Sequence, residues 1–76
     1  MKDNICQYFG RRIRVLRLNA SLSQEQLASI CDLDRTYIGG IERGERNPTL
    51  KNIFRLSKAL NVPMSILFDQ LESTDE

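Results

Sequence analysis

The side chains able to do directed chemistry are crowded into one part of the chain. Arg35, Thr36, Tyr37, Arg43, Arg46 and Asn47 stand within RTYIGGIERGERN, and Gln24 and Glu25 precede them in LSQEQLASIC. Arginine supplies a rigid planar fork of hydrogen-bond donors, so three arginines with neighbouring hydroxyl and amide groups suit recognition of acceptor-rich partners. The equipment for catalysis is missing by comparison. The chain has no histidine, which removes the commonest general base and metal ligand. Its two cysteines, Cys6 and Cys31, lack the close spacing of a zinc or redox pair and read as small core residues in a reducing compartment. No enzyme activity, metal or cofactor is expected.

Composition agrees. Of 76 residues, 41% are apolar and 28% charged, the balance of a soluble globular chain near the lower size limit for a fold held by its own core. One domain, 1–76, is expected. No apolar run approaches the roughly 20 residues of a spanning helix, and MKDNICQYFGRR has no signal-peptide core, so a cytoplasmic protein without membrane partners is expected. The net charge of +1 conceals an asymmetry: all 11 basic residues precede position 69, while four of the 10 acids lie in DQLESTDE. Residues 1–68 therefore favour an anionic partner. The tail 69–76 reads as frayed.

The elements that must position these groups follow from apolar spacing. Ile5, Phe9, Ile13, Leu16 and Ala20 mark one face of a first helix, started at Asp3 or Asn4. Ser23 and Gln26 form a capping box for a second helix over 24–31, with Leu22 and Leu27 as a staple and Leu27, Ile30 and Cys31 inward. Asp32 suits a left-handed turn. Asp34 caps a third helix over about 35–43, which Gly44 stops. Pro48-Thr49 opens a fourth, with Leu50, Ile53, Leu56 and Leu60 inward and Asn61 closing it. Pro63 suits the first turn of a fifth. No strand-period segment or repeat interrupts this all-α reading.

Two capped helices joined by about three residues make a helix-turn-helix over about 23–43. At SQEQLA followed by LDRTYIGGIERGERNPTL, the chain resembles the Cro/phage-repressor-like (Xre family) helix-turn-helix DNA-binding domains, from about Phe9 to Phe68. Within that family it is most similar to the small controller regulators of restriction-modification systems. The resemblance implies a compact five-helix, lambda-repressor-like domain that binds a double-stranded DNA operator.

On the third helix Leu33, Tyr37, Ile38 and Ile41 fall toward the core, which leaves Arg35, Thr36, Gly39, Gly40 and Arg43 toward solvent. Arg35, near the N-terminal end, would read a guanine edge, and Thr36 a base or a thymine methyl. Gln24 matches the family glutamine that contacts phosphate and braces the third helix. Arg43, Arg46 and Asn47 are placed for backbone contacts, Arg46 also for the minor groove. Tyr37 stays open between a packing role and a phosphate contact. Gly39 and Gly40, each costing a helix about 1 kcal/mol, are expected to let the backbone approach DNA. Arg17 and Glu42 correspond to a structural ion pair, so the carboxylates Asp32, Asp34 and Glu42 read as turn, cap and scaffold. Two departures stand out: NAS replaces a glycine-containing turn before the second helix, and Gly39 occupies a position that is usually serine.

One recognition helix covers too few base pairs to find an operator, so a homodimer on an inverted repeat is expected, its interface at Met64, Ile66, Phe68 and Leu71. The alternative is that Leu67 and Phe68 close the monomer core. Glu25 matches the position through which activating relatives touch RNA polymerase, and equally suits a first-turn acid. An antitoxin with a protein partner, or an interaction module that has kept the fold, are the rival readings.

Overall fold

A computed structural model describes residues 4–69, and the expectations for Asp3, for Leu71 and for 70–76 lie outside those residues. The described residues form five α-helices: α1 (Ile5–Asn19), α2 (Gln24–Cys31), α3 (Arg35–Glu42), α4 (Leu50–Leu60) and α5 (Met64–Leu67). They surround a core in which Ile13, Leu27, Ile38, Ile41, Leu56 and Leu67 are sealed from solvent. Each such side chain contributes about 1.5–3 kcal/mol, and each of the five helices supplies at least one of them.

The sequence-derived stops and starts hold at several places. Ser23 Oγ accepts from the Gln26 amide at 3.0 Å and Gln26 Oε1 accepts from the Ser23 amide at 2.8 Å, so α2 begins on a complete capping box. Asp32 and Asn61 both take left-handed backbone, each with φ 59°. Thr49 Oγ1 accepts from the Asn52 amide at 3.1 Å and fixes the start of α4. Gly44, with φ 78°, ends the α3 region. In the turn without glycine Ser21 takes left-handed backbone, with φ 60°.

Other expectations are corrected. Neither Asn4 nor Asp34 makes a side-chain cap bond; the Asp34 carbonyl instead accepts from the Tyr37 and Ile38 amides at 3.0 and 3.1 Å. Ile30 is 57% exposed and Leu50 is 74% exposed. In α2 the inward centre falls between Leu27, Ala28 and Cys31. At about 100° per residue, that centre leaves Ile30 on the opposite flank. Ile5 and Leu50 each open a helix, where the apolar stripe runs past the packed cluster; Ile5 too is exposed. Pro63 stands just before α5 instead of within its first turn.

α1 crosses closely over the C-terminal end of α3 at Gly10. A Cβ on Gly10 would lie 2.1 Å from the Ile41 carbonyl oxygen and 2.8 Å from that of Glu42. Only a residue without a side chain fits there. On either side of Gly10 in α1, Arg12 Nε donates to the Ile66 carbonyl at 2.9 Å, and Phe9 stacks on Phe68 with ring centroids 5.4 Å apart. These contacts hold α5 against α1. Cys31 is buried, its Sγ donating to the Arg55 carbonyl at 3.8 Å, and burial pushes its thiol pKa up. It is a core residue as expected, whereas Cys6 is only half-buried.

Candidate nucleic-acid interface

A buried ionic cluster fixes how α2 and α3 meet. Arg17, on α1, donates through Nε to Glu42 Oε2 at 2.6 Å and through Nη2 to Oε1 at 3.0 Å. Its Nη1 donates to the Leu22 carbonyl at 2.9 Å, in the turn before α2. Hydrogen bonding to Glu42 holds the Arg17 pKa above its ordinary value against the opposing effect of burial. Both residues are more than nine-tenths buried. Gln24 Nε2 completes the cluster by donating to Glu42 Oε1 at 3.0 Å. Glu42 thus ties α1, α2 and α3 together by accepting three charge-assisted bonds, and Arg17 adds the turn. Among the described residues no buried side-chain polar atom lacks a partner.

Arg35, Thr36, Arg43, Arg46 and Asn47 are all exposed. Arg43 pairs with Glu45 at 3.2 Å, an exposed contact worth at most about 1 kcal/mol and readily exchanged. Gln24 is half-buried and Glu25 is exposed at the first turn of α2. Arg35 and Thr36, the first two residues of α3, project from the end of that helix that is free of the α1 crossing.

The two adjacent glycines are not on the open face. Gly39 and Gly40 are both buried, which corrects the expectation that they offer bare backbone to DNA. They are covered by long side chains, from Arg43 and Arg46 just beyond α3 and from Gln24 on α2. A Cβ on Gly39 would lie 3.1 Å from Arg43 Nη1 and 3.5 Å from Gln24 Oε1; one on Gly40 would lie 2.8 Å from Arg46 Cγ and 3.1 Å from Arg46 Nε. Arginine stems lie back across the space the missing methyl groups leave.

Tyr37 is also resolved in part: it is half-buried, its Oη accepts from Asn52 Nδ2 at 3.1 Å, and the Arg46 guanidinium carbon stands 5.8 Å from its ring centroid. The sequence reading missed Asn52. Its polar side chain three residues after a threonine cap carries no distinctive signal, because the partner comes from another helix. Leu50 and Phe54 were missed as surface residues, although their i, i+4 spacing on α4 is a visible second stripe. Together with Met64, Lys51 and Arg55 they line a broad apolar hollow on the outside of α4. Met64 and Ile66 are half-buried and Phe68 is 41% exposed.

A helix-turn-helix family model matches residues 13–67, spanning Ile13 on α1 through Leu67 on α5. The control protein C.BamHI of Bacillus amyloliquefaciens is 53% identical over 70 residues, which cover 91% of this chain and 86% of that protein. The chain belongs to the helix-turn-helix family of controller proteins. Solved members of that family share the fold: the restriction-modification controller protein C.AhdI from Aeromonas hydrophila superposes with a TM-score of 0.82 at 49% identity, over 83% of this chain and 96% of that one. The restriction-modification controller protein C.Esp1396I, solved as a tetramer in complex with its natural 35 base-pair operator, gives 0.83 at 36% identity over 95% of each chain.

Proposed function

We propose that this protein is a sequence-specific, double-stranded DNA-binding transcription regulator, an autoregulatory controller of a restriction-modification system acting as repressor and activator. It is not an enzyme. The observation that carries the reading is the arrangement of α3: Arg35 and Thr36 exposed at its N-terminal end, its C-terminal end fixed by the Arg17–Glu42–Gln24 cluster. A major groove admits one helix read from near its N-terminus, and a braced helix delivers its donors without first having to be ordered. Arg35 reads a guanine edge; Thr36 contacts an adjacent base. Gln24, Arg43, Arg46 and Asn47 hold phosphate or sugar, and Tyr37 supports Arg46 from below. The glycines serve the arginines rather than the DNA.

The operator-bound form is a homodimer, with the whole chain as one domain in the cytoplasm. Leu50, Phe54 and Met64 supply the apolar centre of the interface, since Leu50 is 74% and Phe54 49% exposed around one continuous hollow. Ile66 and Phe68 flank it. Two copies joined there present two α3 helices to half-sites about 34 Å apart. Glu25, exposed on the outer face of α2, is the RNA polymerase contact when the dimer sits upstream of a promoter.

The test is a gel-shift titration against the tightest duplex selected from a random pool by the intact protein, at fixed salt. Arg35→Ala should weaken binding by about 10–100-fold and flatten discrimination at one base pair per half-site, consistent with about 1–3 kcal/mol for a bidentate contact, with the helical circular dichroism unchanged. Unaltered affinity and base preference would remove Arg35 from the interface. A salt dependence near zero for the intact protein would remove nucleic acid from the function.

A further inference from the structure

Arg46 lies beyond α3, in a loop, and an exposed arginine in a loop would ordinarily sample many rotamers. Here three groups from two helices confine it. Gly40 is buried beneath it, and the three atoms nearest to where a Cβ would stand all belong to the Arg46 side chain, the first at 2.8 Å. The Tyr37 ring faces the guanidinium at 5.8 Å, inside the range of cation–π attraction. That ring is itself held at its hydroxyl by Asn52 Nδ2, at 3.1 Å, and Asn52 is fixed at its backbone by the Thr49 cap.

From this geometry we infer that Gly40, Tyr37 and Asn52 form a seat for Arg46, so that Gly40 and Asn52 are positioning residues for DNA binding although neither reaches DNA. The inference rests on the reading of Arg46 as a DNA contact. Gly40 acts by the absence of a methyl group: any larger residue expels the Arg46 stem from its path, while the helix backbone stays in place. Asn52 acts through Tyr37, setting where the ring stands. The seat fixes Arg46 before DNA arrives, which removes an ordering cost from binding. It also makes an α4 residue part of the interface, on the same helix that carries Leu50 and Phe54.

The seat is tested first in the free protein. Nuclear Overhauser contacts from the Arg46 side chain to the Gly40 α-protons and to the Tyr37 ring are expected, and both should be lost in Gly40→Ala. Their absence from the intact protein would overturn the seat without touching the DNA reading. Binding is then measured to the tightest duplex selected from a random pool. Gly40→Ala and Asn52→Ala should each weaken it about three- to tenfold per half-site, the loss expected from reordering one arginine, with unchanged thermal unfolding or a gain for Gly40→Ala. In an Arg46→Ala background neither change should weaken binding further. If Gly40→Ala weakens binding equally in that background, the glycine acts by clearance to DNA and the inference fails. If Arg46→Ala binds like the intact protein, the Arg46 assignment fails and the inference with it, whereas Arg35→Ala still reports separately on DNA recognition.

Discussion

Gly10 and Gly40 are both buried in helices and both leave a space that another group fills, yet what fills it differs. At the α1–α3 crossing the occupant is main chain: the Ile41 and Glu42 carbonyl oxygens close in on Gly10. On the flank of α3 it is the stem of Arg46, an exposed side chain that solvent can receive if it is displaced. A backbone atom in a packed crossing cannot step aside without moving a helix, because protein interiors are close-packed. An arginine can swing into solvent. The first glycine therefore carries the fold and the second carries the placement of a functional group.

The sharpest way to break this comparison is Gly10→Ala. A methyl carbon placed 2.1 Å from a carbonyl oxygen forces α1 off α3 and disturbs the Arg17–Glu42 pair along the same crossing. A loss of about 4 kcal/mol or more is expected, at the exceptional end for a single substitution. In a domain this small each 1 kcal/mol lowers the melting temperature by roughly 4–8 °C, so thermal unfolding followed by circular dichroism should show a drop of well over 10 °C. A stable Gly10→Ala protein would mean that the crossing is looser than its geometry states.

Next in size is Glu42→Gln, which keeps the shape of the side chain and removes the charge that Arg17 faces. Leaving one partner of a buried pair uncompensated costs about 3–5 kcal/mol. The expected loss is near 3 kcal/mol, since the Gln oxygen can still accept one of the bonds now made by Arg17 or Gln24. Urea unfolding should show the midpoint falling while its slope is kept. Because the cluster also braces α2 on α3, DNA affinity should fall along with stability, in contrast to Arg35→Ala, where affinity falls alone.

These two regions were not equally legible in the sequence. The caps at Ser23 and Thr49 and the left-handed residues Asp32 and Asn61 follow from local chemistry, since each depends on neighbours within a few positions. The Arg17–Glu42 pair was available through family resemblance, not through spacing, because 25 residues separate the partners. Gly10 gave no signal: a glycine in a helix says that a side chain is missing but not what comes close. The same limit misled the reading of Gly39 and Gly40, which have no side chain to mark their face and are covered by arginines reaching back along the helix. Leu50 and Phe54 were hidden for another reason. A helix with two adjoining apolar stripes reads as one wide inward face until the core is seen to use only Leu56, Leu60 and their neighbours.

Gly39→Ala is expected to have the smallest effect, and it isolates the side-chain kind of contact. The nearest group is Arg43 Nη1, at 3.1 Å, the far end of an exposed chain, and Gln24 Oε1 stands at ordinary contact distance, 3.5 Å. Arg43 gives way by a few tenths of an ångström, and the helix regains up to about 1 kcal/mol of propensity. Gln24, anchored through Nε2 to Glu42, need not move, and only the shift of Arg43 takes back part of that gain. A net stabilisation of about 0.5 kcal/mol should appear in thermal unfolding, with affinity for the selected duplex changed by less than about threefold. A loss of 2 kcal/mol or more would show that Gly39, like Gly10, sits against something that cannot move, and Gln24 would then have to be counted with the rigid scaffold instead of the recognition surface.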